Sequence, residues 1–212
     1  MTPLAHSYTS MKTYEICPLQ FWHKKINKTY EEAFSPQILE GWRIHTAFEN
    51  ALLGKKALPR ELWRYKDLLA SVPVPCTVER KLAVDRSFEP CDWMDPSTLF
   101  RAVLDAVHMD YDKAIIIDWK TGKVRTDTSQ LMGQAAILMA HYPNIKEVEA
   151  NFVWIKHADM TTVKVSRSQL GELVYQLMEK MIVIENDDVY EAKPGPLCRW
   201  CPAFADCEHA QR

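Results

Sequence analysis

Two apolar segments joined by a short polar turn, within residues 101–123 (RAVLDAVHMDYDKAIIIDWKTGK), constrain the fold of this chain more than any other feature. Both segments have the length and apolar composition of β-strands, and residues 110–113 between them form a turn candidate. An antiparallel hairpin centred on that turn sets Asp105 directly opposite Asp118, with both side chains on the same face of the sheet. The sequence therefore predicts a pair of facing carboxylates.

Facing carboxylates inside apolar strands repel one another unless a positive charge lies between them. Mg²⁺ and Mn²⁺ are the usual ions where oxygen ligands converge, and strand alternation adds Lys120 to the face of Asp118. A lysine beside such a metal site can orient an attacking water or stabilise developing charge on a phosphate. The alternative is that Asp118 and Lys120 form a strand-end salt bridge while Asp105 reaches solvent.

Two further residues are candidates for the same site. Glu79 lies in the preceding predicted strand and brings a third carboxylate to the sheet; its alternative is an exposed residue paired with Arg80 or Lys81. His45 lies on a stripe of a predicted helix, one turn after Gly41, where a glycine permits close backbone approach. A histidine on such a stripe is otherwise an ordinary core residue.

The order of predicted elements indicates an α/β fold in which N- and C-terminal helices wrap a central mixed sheet. Ser10 is a candidate N-cap for the first helix, and Pro18 after Cys17 opens a second segment. The periodicity predicts helices over 11–16, 18–25, 36–53, 58–70, 128–140 and 168–185, and strands over 74–88, 99–109, 114–119, 148–157 and 161–165. We expect one domain over 1–212, made of a helical part (10–70), an α/β core (74–190) and a cysteine-rich tail (194–212).

Composition excludes several classes of protein. With 212 residues, of which 47% are hydrophobic and 25% charged, the chain is long enough for one sizeable core. It contains no window of membrane-spanning length and no signal-peptide core, so we expect a cytoplasmic protein, or one in a host cytoplasm if viral. The net charge of -2 requires any nucleic-acid surface to be local, and Lys123 and Arg125 belong to one basic run.

Three cysteines near the end of the chain have metal-ligand spacing, C-x2-C-x5-C at Cys198, Cys201 and Cys207. Three thiolates are one short of a closed site, and Cys17, at a helix break before a proline, is the candidate for the fourth ligand. Zinc is the rival metal, with His209 as a rival fourth ligand. The two remaining cysteines, Cys76 and Cys91, have no partner in spacing and are expected to be plain thiols.

Taken in order, these motifs resemble the RecB-like PD-(D/E)XK nucleases over most of the chain. The matching elements are G-x-x-x-H at Gly41–His45, the acidic strand, V-L-D ending at Asp105, D-W-K from Asp118 and a helix carrying Gln130. The resemblance implies a restriction-endonuclease-like core with metal ligands and a catalytic lysine. The implied ligands are His45, Asp105, Asp118 and the carbonyl of Trp119; Glu79 and Lys120 are the further catalytic residues. The family's Q-x-x-x-Y pair, which holds DNA, is Gln130 and Gln134 here, a departure at its second position.

The cysteine pattern is similar to the iron–sulfur subgroup of that family, which includes AddB-type nucleases and nucleases of CRISPR spacer acquisition. The resemblance implies a [4Fe–4S] cluster on Cys17, Cys198, Cys201 and Cys207 that ties the two ends of the chain together. It implies an Mg²⁺- or Mn²⁺-dependent exonuclease acting on DNA ends or single strands in recombination, repair, phage DNA processing or spacer acquisition, with a helicase, recombination or spacer-acquisition protein as a possible partner. The alternatives are a non-catalytic DNA-binding scaffold with the nuclease fold, and a zinc or iron–sulfur protein whose cysteine site does the chemistry.

Overall fold

The computed structural model describes residues 4–30 and 35–211. Residues 1–3, 31–34 and 212, which fall inside the predicted domain limits, lie outside the described part. The helices are α1 (Tyr8–Ile16), α2 (Pro18–Phe21), α3 (Pro36–Leu52), α4 (Lys66–Ala70), α5 (Ser129–His141) and α6 (Leu170–Glu185), with a π-helical turn at Trp22–Ile26 and 3₁₀ turns at Arg60–Tyr65, Arg167–Gln169 and Cys198–Trp200. The strands are β1 (Cys76–Val84), β2 (Pro90–Cys91), β3 (Phe100–Asp110), β4 (Lys113–Lys120), β5 (Glu147–Trp154) and β6 (Asp159–Ser166).

The six strands form one mixed sheet in the order β2-β1-β3-β4-β5-β6. Only β4 and β5 pair in parallel, because α5 crosses over between them; the other neighbours are antiparallel. This arrangement confirms the predicted α/β fold with a central mixed sheet flanked by helices. Among the described helices, none combines the length and the apolar run that crossing a membrane requires.

Each face of the sheet has its own core. On one face α5 and α6 pack with α1 and α2 against residues such as Leu104, Val107 and Ile116. On the other face Ile44 and Phe48 of α3 pack with the 3₁₀ turn Arg60–Tyr65 against Ala106, Ile117 and Trp119. Helices therefore cover the sheet on both faces.

The N-cap prediction for the first helix is wrong by one turn. Ser7 is the N-cap, and Ser10 is the third helical residue. The two serines form a capping box, in which the backbone N–H of Ser10 donates to Ser7 Oγ and that of Ser7 donates to Ser10 Oγ. Ser10 thus resembled an N-cap in the sequence because it is part of the capping box. Cys17 is extended, as predicted, and Pro18 begins α2.

Two predicted elements are interrupted. The helix predicted over 58–70 is a 3₁₀ turn followed by the short α4. The strand predicted over 74–88 ends at Val84, because the side chain of Asp85 accepts hydrogen bonds from the backbone of Ser87 and Glu89 and closes a turn. In both places local side-chain and turn chemistry overrides the apolar pattern.

Candidate functional site

The β3–β4 hairpin has the predicted register. Asp110 pairs with Lys113 and Ala106 with Ile117, so a two-residue turn joins the strands. Backbone pairing stops there, one step before Asp105 would meet Asp118. In place of the next rung, the Asp105 carboxylate accepts a hydrogen bond of 2.8 Å from the backbone N–H of Trp119. Asp105 is thereby fixed at the point where the two strands separate.

The neighbouring strand is irregular at the same level. The β1–β3 register is unchanged on both sides, but it skips Glu79 and Asp105, and Glu79 has φ 49°. Alternation switches there, since Leu104 and Val107 both face α5 whereas Ala106 faces α3. A left-handed backbone at a residue other than glycine is strained and is typical of functional sites. The irregularity turns both carboxylates out of the regular pleat.

Helix α3 brings His45 to this point. Its Nδ1 lies 3.3 Å from Asp105 Oδ2, and its Nε2 lies 2.9 Å from the carbonyl oxygen of Trp119. A Cβ on Gly41 would lie 3.3 Å from Thr121 Oγ1, just after β4, so a glycine here permits the close approach of the helix to a neighbour that was predicted. The stripe containing His45 is not the core stripe, because Ile44 and Phe48 are buried whereas Trp42 is 53% exposed.

Three candidate ligands converge. One ligand atom each of His45, Glu79 and Asp105 lies within 4.8 Å of the other two, a donor set that a divalent cation can occupy. The Trp119 carbonyl adjoins this group through His45. Four of the predicted site residues, drawn from α3, β1, β3 and β4, therefore meet at one place.

Asp118 lies beside this group, within a hydrogen-bond network. Its Oδ2 accepts from the amides of Gln130 at 2.7 Å and Gln134 at 2.8 Å, both on α5. Its Oδ1 lies 2.6 Å from the ammonium of Lys120, which also donates to Gln130 Oε1 at 3.0 Å and lies 4.8 Å from the ring centre of Phe152. The network fixes the position of the Lys120 ammonium.

The electrostatics of the site favour a cation. Burial and the negative charge of Asp105 raise the pKa of Asp118, although Lys120 and Gln134 oppose the shift. Burial, Asp105 and Glu49 likewise raise the pKa of Glu79. Both carboxylates resist ionisation chiefly because burial disfavours the charged form, and the neighbouring negative charges add to this effect. A bound cation would relieve this repulsion.

Burial disfavours the charged form of His45, but its neighbours outweigh that effect. The hydrogen bond to Asp105, the charges of Asp105 and Asp118, and the Trp119 carbonyl together raise the pKa of His45 above its ordinary value. Asp105, Asp118 and the Trp119 carbonyl thus favour a positive charge at this position.

These side chains line one open cleft of about 790 Å³, here called the acidic cleft. Its ionisable lining residues are His45, Glu49, Glu79, Asp105, Asp118 and Lys120. Sequence reasoning missed Glu49 as a site residue; its spacing of four from His45 on a helix was the available signal.

The predicted DNA contacts occupy different positions around the cleft. Gln130 lines the cleft, and Lys123 and Arg125 are exposed on the loop between β4 and α5. Gln134 is only 2% exposed, and its amide is directed at Asp118.

All four cysteines of the predicted metal site line a second cavity of about 340 Å³, here called the four-cysteine cavity: Cys17, Cys198, Cys201 and Cys207. His209 lines it as well. Backbone N–H groups donate to two of the sulfurs, that of Lys193 to Cys17 at 3.4 Å and that of Gly195 to Cys198 at 3.2 Å. Such bonds lower the pKa of the Cys198 thiol. Cys76 and Cys91 are not among the lining residues.

Comparison with known proteins finds one matching family and solved structures of similar fold. Residues 51–208 match the model of the PD-(D/E)XK nuclease superfamily. A solved structure described as “Putative exonuclease” from Eubacterium rectale is 14% identical, with a TM-score of 0.57 over 98% of this chain and 90% of that one. The crystal structure of SSO0001 is 11% identical, with a TM-score of 0.51 over 100% of this chain and 90% of that one. No curated protein is significantly similar in sequence.

Proposed function

The chain belongs to the PD-(D/E)XK nuclease superfamily, and we propose that it is an Mg²⁺- or Mn²⁺-dependent DNA exonuclease acting on DNA ends or single strands. One observation carries the proposal. The ligand atoms of His45, Glu79 and Asp105 converge within 4.8 Å in a cleft that also contains Asp118 and Lys120. Carboxylate and imidazole ligands around an open cleft are suited to a catalytic cation.

The charge of the acidic cleft makes the cation necessary for this substrate. Four carboxylates line it, from Glu49, Glu79, Asp105 and Asp118, whereas Lys120 is its only lysine among the described residues. A phosphodiester carries a negative charge and would be repelled by that lining. When bound, Mg²⁺ or Mn²⁺ would offset the negative charge of the cleft lining, polarise the phosphodiester and lower the pKa of the attacking water.

We assign the ligands from the contacts around Asp105. His45, Glu79 and Asp105 would hold the ion together with the Trp119 carbonyl, which lies 2.9 Å from His45 Nε2. Asp118 would add its negative charge to the site and keep Lys120 in place. The Trp119 N–H donates a hydrogen bond to Asp105, and this bond fixes the Asp105 carboxylate relative to the Trp119 carbonyl.

Lys120 is the proposed catalytic lysine. Its ammonium is positioned by Asp118 and Gln130 and lies over the ring of Phe152, so it reaches the cleft with little freedom to move. Directed at a non-bridging phosphate oxygen, it would donate a charge-assisted hydrogen bond that strengthens as negative charge develops during attack. It would also orient the attacking water.

The DNA contacts follow from exposure. Gln130 lines the acidic cleft, and Lys123 and Arg125 are exposed on the loop that follows its lining residue Gly122, so we propose that they bind the DNA backbone. Gln134 has a different role, because its amide is committed to Asp118 inside the protein. A glutamine at this position orients the second aspartate instead of stacking on a base.

We also propose that Cys17, Cys198, Cys201 and Cys207 bind a [4Fe–4S] cluster, which would place the chain in the iron–sulfur subgroup. All four line one cavity of about 340 Å³. Four thiolates that share one cavity can hold such a cluster, which would join the residue before α2 to the end of the chain.

Degradation of a labelled single strand with Mn²⁺ tests the activity. The proposal predicts mononucleotides from a linear strand, no cutting of a circular strand of the same sequence, and no reaction in EDTA. Cutting of the circle would instead identify an endonuclease. Binding without degradation under any of these metal conditions would favour a DNA-binding scaffold that retains the nuclease fold.

A further inference from the structure

A third cavity, of about 400 Å³ and here called the tryptophan groove, adjoins the acidic cleft. The two share the lining residues Thr9, Val103 and Gln130. The groove forms because β3 continues beyond its pairing with β4, and the N-terminal segment pairs with Phe100 at His6 instead. It therefore extends the proposed catalytic site along β3.

The ring of Trp93 lines this groove, and two cations lie over it. The guanidinium carbon of Arg101 is 5.2 Å from the ring centre of Trp93, and the ammonium of Lys81 is 5.7 Å from it. Arg101 also donates to the carbonyl oxygen of Trp93 at 3.2 Å, which fixes the ring relative to β3. The ring is partly exposed and lines the groove.

Neither cation has a carboxylate at ion-pair distance in the described part of the chain. Within residues 4–30 and 35–211, neither Arg101 nor Lys81 forms an ion pair with a carboxylate, although 11 other pairings of a lysine, arginine or histidine with a carboxylate outside the acidic cleft occur in the same part of the chain. In a chain of net charge -2, two unpaired cations next to a catalytic cleft are suited to a polyanion.

We propose that Trp93, Arg101 and Lys81 bind an unpaired DNA strand beside the acidic cleft, with one base stacked on Trp93 and phosphates on the two cations. This inference rests on the proposed nuclease function and specifies its substrate. A base in a duplex already stacks on its neighbours, so a ring inside a groove can accept only a base that is unpaired. The groove would then select single strands over duplexes, and Trp93 would determine that specificity.

Binding without cleavage tests the proposal. We would measure the fluorescence anisotropy of a labelled oligothymidine and of a matched duplex in Ca²⁺, checking on a gel that the strands stay intact. Trp93→Ala should weaken single-strand binding about tenfold or more and change duplex binding little, whereas Trp93→Phe should restore much of the loss. Replacing both cations, Lys81→Gln with Arg101→Gln, should reduce the slope of log affinity against log salt by about 1.4.

The chain offers a matched control. Trp63 is 55% exposed and has Arg60 at 5.8 Å from its ring centre, but it lines neither the acidic cleft nor the tryptophan groove. Trp63→Ala should leave strand binding unchanged. Equal binding by the wild type, Trp93→Ala and the double variant would overturn the proposal, as would an equal loss for duplex and single strand.

Hydrolysis of bis(p-nitrophenyl) phosphate with Mn²⁺ separates this proposal from the nuclease proposal, because so small a diester does not reach the groove. If the wild type hydrolyses it while Trp93→Ala binds the strand normally, the groove proposal fails and the nuclease proposal stands. If the wild type cleaves neither the diester nor the strand, yet Trp93→Ala weakens strand binding, the nuclease proposal fails and the strand-binding groove remains.

Discussion

The carboxylate of Asp105 accepts a hydrogen bond of 2.8 Å from the backbone N–H of Trp119, where the β3–β4 ladder ends. The carbonyl of the same tryptophan meets His45 Nε2 at 2.9 Å, while its ring packs edge-on against Phe48 with centroids 5.1 Å apart. One residue thus connects a strand end, a helix and the buried core. Backbone hydrogen bonding and packing thus position the candidate ligands.

Replacing Lys120 should remove catalysis and spare binding. Lys120→Ala is expected to lower kcat about 10²–10³-fold, because a positioned donor to the developing phosphate charge is lost. Strand affinity should change much less. Single-turnover degradation with Mn²⁺, together with anisotropy binding, measures the two effects.

Lys123→Ala is the matched control for that variant, since it removes a lysine from the loop just beyond β4. It should weaken strand binding modestly, mainly at low salt, and leave the single-turnover rate at saturating enzyme unchanged. Full activity of Lys120→Ala would refute the catalytic assignment.

Replacing Gln134 should affect both stability and rate. Gln134→Met keeps the side-chain volume but removes the 2.8 Å hydrogen bond to the buried Asp118. Leaving that carboxylate with one donor fewer is expected to cost about 1–3 kcal/mol of unfolding free energy. Urea denaturation measures this cost. We also expect kcat to fall about tenfold, because Asp118 pairs with Lys120 and positions its ammonium.

Gln134→Glu is a sharper variant of the same test. A second carboxylate would lie against Asp118, so stability should fall further than in Gln134→Met at neutral pH. Equal strand affinity in both variants is expected if the side chain has no contact with DNA; a loss of affinity without any loss of stability would assign it to DNA binding instead.

Acid should destabilise the fold through His6 and Glu185. Burial lowers the pKa of His6, against the influence of Glu185, from its ordinary 6.5. The bidentate hydrogen bond from Arg86 lowers the pKa of Glu185 from 4.5. Both folded-state pKa values are depressed, so the unfolded chain binds more protons, and stability falls as pH drops below 6.5 and then below 4.5.

His6→Gln should reduce the first part of that pH dependence. Between neutral pH and about pH 5 its Tm should fall less than that of the wild type, because the buried imidazole that must stay neutral is gone. His157→Gln, which removes an exposed imidazole instead of a buried one, is the matched control. Parallel Tm curves for His6→Gln and the wild type would contradict the assignment.

The four-cysteine cavity makes a prediction about metal content. Anaerobically purified protein should be brown and contain about four iron and four sulfide ions per chain. Cys201→Ala should lose the iron and unfold at lower temperature, since metal binding is coupled to folding. Cys76→Ala should retain the iron. Colourless wild-type protein with one zinc would contradict the cluster and the subgroup assignment.

The sequence predicted the hairpin register because a two-residue turn leaves one pairing in which both apolar strands face the core. It did not predict the left-handed backbone of Glu79, because alternation assumes a regular pleat. That Asp118 is a metal ligand stays a prediction. Its contacts with Gln130 and Gln134 were not predicted, because they depend on where α5 packs, which no local pattern contains.

The helix carrying His45 shows the same limit. Its apolar residues predicted a helix, but Ile38 and Trp42 proved to be exposed and to line the acidic cleft, while Ile44 and Phe48 face the core. Both stripes have helical spacing, and only the sheet beneath α3 distinguishes them. The convergence of residues from four elements is therefore a tertiary property.

Mn²⁺ titration of the acidic cleft tests the account most directly. Calorimetry on the wild type, Asp105→Asn and the control Asp112→Asn, at the hairpin turn, should be paired with strand degradation. We predict that Asp105→Asn loses about 100-fold or more in Mn²⁺ affinity and loses degradation, and that Asp112→Asn retains both. Wild-type Mn²⁺ affinity in Asp105→Asn, or strand degradation by the wild type in EDTA, would contradict a cation held in this cleft.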